Sequence, residues 1–162
     1  MEVARIHTDQ LCVYVCGMAG RLLYVEDEDA AFFLFQTALK TAQIEVELHR
    51  ASDGEQALDF LRKPSSECPR PDLVVLDLNL PRKSGFDVLS QIKGDPALQG
   101  LLVVVFTSSP LSADKMRSLE LGARDYITKP FSFDGFVHAV KTACSHLPDG
   151  AGGTEQSVGS SR

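Results

Sequence analysis

The chain has 162 residues, 44% hydrophobic and 23% charged, which is enough for one domain with its own core and too balanced for wholesale disorder or a coiled coil. Its 16 basic residues against 22 acidic ones give a formal net charge of −6, which disfavours a nucleic-acid surface, because neutralising phosphates takes an excess of lysine and arginine. The four cysteines, Cys12, Cys16, Cys68 and Cys144, form neither CxxC pairs nor a dense secreted scaffold, so reduced thiols are expected.

Residues 1–20 fit no pattern and read as an N-terminal extension of unknown role. The apolar run at 11–19 is too short to span a bilayer and follows Glu2 and Asp9 rather than a basic start, so no membrane segment is expected. From residue 21 onward, short apolar runs alternate with segments of helical period, the pattern of a parallel sheet covered by helices. The first strand is expected at 21–25. A helix over 29–42 follows, with Phe32, Phe35, Leu39 and Ala42 along one stripe. A strand at 45–50 precedes a helix capped by Ser52 or Asp53, which carries Ala57, Leu58 and Leu61 inward and ends before Pro64.

The third and fourth strands, LVVL at 73–76 and LLVVVF at 101–106, are apolar at every position, as strands buried on both faces require. Helices are expected at 85–93 and 112–121, the latter ended by Gly122 through a positive φ. The fifth strand falls at 125–128. The last helix, 132–147, is capped by Ser132 and presents Phe136, Val137, Val140 and Cys144 on one side. Residues 148–162 are rich in Gly and Ser without periodicity and read as a disordered tail. Five β-α repeats with short connections favour a doubly wound, three-layer α/β fold whose five parallel strands run in the order 2-1-3-4-5.

In such a sheet chemistry gathers at the carboxyl ends of the strands, where the order reverses. Those ends carry Glu26 and Asp27, then Asp77, Thr107 and Lys129. Neighbouring strands lie roughly 5 Å apart, so Asp27 and Asp77 can reach one ion. Three acids in one place must either keep a proton or bind a cation, and an all-oxygen set suits Mg²⁺ or Mn²⁺ rather than zinc. A carboxylate beside such an ion is a candidate nucleophile toward phosphorus, and Asp77 is the best placed. Lys129 and Thr107 offer an ammonium and a hydroxyl to phosphoryl oxygens.

These residues carry a resemblance. VEDE at 25–28, LVVLDLNLPRKSG at 73–85, VVVFTSS at 103–109 and GARDYITKPF at 122–131 are similar to the motifs of the response-regulator receiver domain, the CheY-like member of the flavodoxin-like folds, over residues 21–147. The resemblance implies that Asp77 is the phosphoacceptor of a two-component phosphorelay and is supplied by a sensor histidine kinase. It implies Mg²⁺ held by Asp27, Asp77 and the backbone carbonyl of Asn79, with Glu26 acting through water. Lys129 and Thr107 would contact the phosphoryl group, and Asn79 and Ser109 would tune how long it survives. Tyr126 takes the place of the switch aromatic, entering from outside the space vacated near Thr107, and Lys129–Pro130 is a candidate cis bond.

Within the family, PRPDLVVLDLNLPRKSGFDVL at 69–89 and the connection at 64–71 are similar to single-domain regulators paired with bacterial phytochrome kinases. The resemblance therefore implies a cytoplasmic regulator rather than an enzyme. Its output would be a downstream protein or a second copy of the chain, met at the face of the fourth and fifth helices. Two departures stand out: the acidic pair is Glu26-Asp27 where two aspartates are commoner, and residues 1–20 have no counterpart. Two rival functions fit parts of the pattern. A phosphatase of the haloacid-dehalogenase type would need a general acid two residues after its nucleophile, where this chain has Asn79. A pseudo-receiver would keep the fold without the chemistry, yet this chain retains the acids, the hydroxyl and the lysine.

Overall fold

The computed structural model describes residues 20–148. The expected extension over 1–20, apart from Gly20, the apolar run at 11–19, Cys12 and Cys16, and the expected tail beyond Pro148 lie outside the described residues. Ten elements alternate along the chain: β1 (Gly20–Val25), α1 (Asp29–Thr41), β2 (Val46–Ala51), α2 (Gly54–Arg62), β3 (Leu73–Leu76), α3 (Gly85–Gly94), β4 (Leu102–Thr107), α4 (Ser112–Glu120), β5 (Asp125–Thr128) and α5 (Phe133–Cys144). All strand pairs are parallel, in the order β2-β1-β3-β4-β5. The α/β fold expected from the alternation of strand and helix is therefore the one observed. Among the described residues no helix is long and apolar enough to cross a membrane.

The two-residue period of the strands divides the core into two layers. Leu22, Tyr24, Leu73, Val75, Val104 and Phe106 face α1 and α5, together with Phe35, Phe136 and Val140. Leu23, Val25, Val74, Leu76, Val103 and Val105 face the opposite way, toward Leu58 and Leu61 of α2 and Val88, Leu89 and Ile92 of α3. Burying each such side chain contributes about 1.5–3 kcal/mol, which explains why LVVL and LLVVVF carry no polar residue. In the first layer an aromatic chain runs beneath the carboxyl edge of the sheet. Tyr24 and Phe35 have ring centroids 4.3 Å apart, and Phe106 lies 5.9 Å from Phe35 and 5.3 Å from Phe136.

Local signals set the helix ends. Asp53, rather than Ser52, caps α2, its side chain accepting from the amides of Glu55 and Gln56. Ser132 caps α5 and Ser84 caps α3. Gly122 adopts φ 97 just after α4, as expected. Two boundaries shift by one residue with consequences for the site. β2 runs to Ala51, which places Arg50 inside the strand, and β4 runs to Thr107, which is its last residue rather than the first beyond it. Ala42 caps α1 at its C-terminus, only partly buried, and Ala38 fills the stripe in its place.

Candidate functional site

The register of the central strands decides which side chains meet. Val25 pairs with Leu76, so Glu26 and Asp77, each one residue further, leave neighbouring strands at the same level. Thr107 pairs with Thr128, so Lys129 leaves the sheet at the next position, and its amide donates to the Thr107 carbonyl at 2.7 Å. Alternation places Glu26 on the face of Tyr24, Asp77 on that of Val75, and Lys129 on that of Ile127, all toward α1 and α5. Thr107 falls with Val103 and Val105 on the other face, the face of Tyr126. The convergence expected at the strand ends is thus two clusters on either side of the sheet.

The first cluster is charged. The Lys129 ammonium donates to Glu26 Oε2 at 2.6 Å and to Asp77 Oδ2 at 2.7 Å, over the ring of Phe106. Tyr24 donates its hydroxyl to Glu26 Oε2 at 3.0 Å, and the Glu28 amide donates to Oε1 at 3.1 Å. Asp77 Oδ1 accepts the Asn79 amide at 3.1 Å. Both carboxylates are buried. Burial pushes the Glu26 carboxyl up, against the pull of Lys129 and the Glu28 amide. Burial alone would lower Lys129, but the Asp77 and Glu26 carboxylates outweigh it and hold the ammonium above its ordinary value. Two carboxylates facing one ammonium leave net negative charge, and both shifts keep protons on the group. Burial, reinforced by Glu26, holds the Tyr24 phenol far above the usual tyrosine range, so it keeps the proton that it donates to Glu26.

The three-acid gathering expected from the sequence is corrected by this arrangement. Asp27 is exposed, and among the described residues no three Asp, Glu, His or Cys side chains form a cation site by themselves. The physical reason is that the long Lys129 side chain reaches back across the sheet and serves as the counter-charge for Glu26 and Asp77.

A cavity of about 470 Å³ opens over this cluster, lined by Glu26, Asp27, Asp77, Asn79, Ser108 and Lys129 and by apolar residues of α1 and Phe131. The donors facing it fit a hard divalent cation. The acidic residues Glu26, Asp27, Glu28 and Asp77 line it with room for water, an oxygen-rich set of the kind Mg²⁺ or Mn²⁺ accepts, and no sulfur or imidazole lines the space. Glu26 Oε1 accepts a single amide and keeps a lone pair for a water.

The second cluster lies on the other face. Thr107 is fully buried and its Oγ1 accepts the Ser109 amide at 3.4 Å. Tyr126 donates its hydroxyl to the Ser109 carbonyl at 2.8 Å, and the Ser109 hydroxyl donates to Asp114 Oδ2 at 2.6 Å. Tyr126 is 7% exposed, so the expectation of a ring waiting outside is not met. Its ring packs in the α2 and α3 layer because the carbonyl of Ser109 satisfies its hydroxyl there. The cis bond is not met either. No cis peptide occurs among the described residues, and Lys129–Pro130 keeps the intrinsically favoured trans form while Lys129 still spans to both acids.

Residues 22–141 match the Response regulator receiver domain. The chain belongs to the response regulator receiver family. This receiver is 44% identical over 110 residues to Response regulator Rcp1 from Synechocystis sp., covering 67% of this chain and 75% of that protein. Its fold is similar to the crystal structure of the Mn²⁺-bound form of Rcp1, with a TM-score of 0.71 and 38% identity, covering 80% of this chain and 99% of the other. It is similar also to the phosphorylated cyanobacterial phytochrome response regulator RcpA, with a TM-score of 0.72 and 35% identity over 80% and 94% of the two chains. The receiver is therefore related to phytochrome response regulators, in a family whose typical function is phosphorylation by a histidine kinase, whose members bind a divalent metal, and whose role is typically signalling rather than enzymatic.

Three parts of the receiver's site escaped the sequence reading. Tyr24, not singled out from the sequence, holds Glu26. Arg50 lies near the end of β2, next to β1, and donates to the carbonyls of Glu26 at 3.0 Å and Asp27 at 2.9 Å and to Asp29 Oδ1 at 2.7 Å, fastening the acidic loop. Gly85 approaches the loop after β3 so closely that a Cβ there would lie 2.2 Å from the Asp77 carbonyl oxygen. The first two were in principle readable, since Tyr24 precedes Glu26 by two residues on one strand and Arg50 lies one residue before the end of the strand beside it.

Proposed function

We propose that Asp77 is the phosphoacceptor of a two-component relay, supplied by a sensor histidine kinase and assisted by Mg²⁺, with Mn²⁺ able to take its place. The observation that carries the reading is the Asp77 carboxylate, buried at the floor of an open cavity with the Lys129 ammonium 2.7 Å away, in a chain of the receiver family. Asp27, Asp77 and the Asn79 carbonyl would hold the ion, with Glu26 reached through a water. When bound, such an ion withdraws negative charge from the carboxylates and from an incoming phosphoryl group.

The chain's own groups supply the rest. An Asp77 carboxylate oxygen attacks phosphorus, the bond from phosphorus to the donor nitrogen breaks, and the donor leaves with that electron pair, giving an acyl phosphate. Lys129 exchanges its contact with Asp77 for a phosphoryl oxygen while Glu26 keeps hold of it. Thr107 turns its hydroxyl from the Ser109 amide toward the phosphoryl group. Water hydrolysing the acyl phosphate resets the site, so phosphotransfer and autodephosphorylation are the only reactions assigned to it.

The added charge of about −1.5 to −2 is read through the loop after β4. Thr107, Ser109 and Tyr126 are bonded in series, so movement of Thr107 is felt at Tyr126 and at Asp114 in α4. Leu111, Met116 and Leu119 stand exposed on and beside α4, an apolar surface suited to a downstream protein or a second copy of the chain. Supply by a histidine kinase supports a cytoplasmic location, and relatedness to phytochrome regulators supports a phytochrome kinase upstream.

The test is phosphoryl incorporation from a small phosphoramidate donor. Incorporation requires Mg²⁺ or Mn²⁺ and is lost in Asp77→Asn. Incorporation that survives Asp77→Asn, or that ignores chelation of the metal, refutes the reading.

A further inference from the structure

Arg82 occupies the loop that follows Asp77 with a left-handed backbone, φ 64, a conformation that side chains other than glycine rarely adopt. Such an outlier persists only where its surroundings fix it. Here its Nη2 donates to Oδ2 of Asp53, whose side chain is 2% exposed. Asp53 Oδ1 is already committed to the amides of Glu55 and Gln56 at the start of α2, so the guanidinium satisfies the other oxygen. The loop is closed at the same point from both sides. The Lys83 amide donates to the Pro81 carbonyl at 2.6 Å and the Gly85 amide to the Leu78 carbonyl at 2.9 Å. Gly54, first residue of α2, packs so tightly on this loop that a Cβ would meet Val88 Cγ2 at 2.6 Å and the Lys83 carbonyl at 3.1 Å.

Asn79 lies within the loop so tethered, its amide on Asp77 Oδ1 and its residue lining the cavity. The anchor of this side of the site is therefore α2, through one ion pair, while the opposite side is fastened by Arg50. We propose that Arg82 is a positioning residue for the cation site: by holding the loop to Asp53 it sets where the Asn79 carbonyl stands relative to Asp77. The inference rests on the reading of Asp27, Asp77 and Asn79 as cation ligands. A purely structural role would stabilise the start of α2 and leave the cation unaffected.

The experiment titrates the full chain with Mg²⁺ alone, following the amide resonances of Asp77 and Asn79, and records the melting temperature of each variant without metal. Arg82→Ala raises the half-saturating Mg²⁺ concentration about tenfold, the size of effect seen when groups behind a ligand are lost. Arg82→Gly relieves the backbone and melts above Arg82→Ala, yet shows the same weakened binding. Arg82→Lys, which can still reach Asp53, binds more tightly than either. If Arg82→Ala proves unfolded, Arg82→Gly and Asp53→Asn carry the same comparison. Wild-type half-saturation in the alanine and glycine variants, whatever their melting temperatures, overturns the proposal. Failure of the wild type to bind Mg²⁺, or binding unaltered by Asp77→Asn, would instead take down the ligand assignment beneath it.

Discussion

Lys129 stands between Glu26 and Asp77, its ammonium 2.6 Å from one carboxylate and 2.7 Å from the other. The lysine is the counter-charge of two buried acids, and removing it leaves both unpaired. Lys129→Met should therefore lose about 3 kcal/mol in urea denaturation at pH 7, as other broken buried pairs do. Part of that loss should return as pH falls, because burial pushes the Glu26 carboxyl up and, without the ammonium, it takes a proton more readily. A loss under about 1 kcal/mol, the value of an exposed pair, would mean that the ammonium does not bridge the acids in solution.

Arg50 fastens the acidic loop from β2 by three hydrogen bonds, two of them to main-chain carbonyls. Arg50→Ala should cost about 2 kcal/mol, within the range for hydrogen bonds that involve a charged group. Hydrogen exchange at Asp27 and Glu28 should speed up at the same time. Unchanged exchange there would show that the loop holds its shape without the arginine.

Tyr126 already lies inside, so binding of fluoroberyllate with Mg²⁺ should leave its burial unchanged. Fluorotyrosine resonances report this directly, and a large solvent-induced shift confined to the free state would contradict it. Tyr126→Phe removes only the bond to the Ser109 carbonyl and should cost about 1 kcal/mol.

Cys144 gives a pH dependence far from the site. Burial pushes its thiol from 9.0 up to about 12. The folded state thus holds a proton that the unfolded chain releases, so the contribution is fully present below pH 9 and is lost as pH rises toward 12. Denaturation midpoints should fall across that window, and less steeply in Cys144→Ala. Equal slopes in the two proteins would assign the alkaline loss to Lys129 and the tyrosines instead.

The sheet was legible because its signal is redundant. LVVL and LLVVVF admit no half-exposed strand, and helical stripes such as Phe32, Phe35 and Leu39 fall between turn residues. The polar residues at the strand ends were legible for the same reason, since strand order places them at one edge. What sequence spacing leaves out is the direction of each side chain. The one-residue extension of β4 puts Thr107 on the face of Tyr126, and the reach of Lys129 replaces the expected acid cluster by an ion-paired one. Contacts made by long side chains across strands or loops, Arg50 to the acidic loop and Arg82 to Asp53, have no periodicity to betray them.

If Asp77 is the acceptor, the phosphoryl group can be trapped there chemically. Borohydride reduction of protein treated with a phosphoramidate and Mg²⁺, followed by peptide mass spectrometry, converts an aspartyl phosphate to homoserine and so marks its position. Homoserine is expected at position 77 alone and is absent when the metal is chelated. Homoserine at Asp27, or phosphate found on a histidine or serine with Asp77 unmodified, would contradict it.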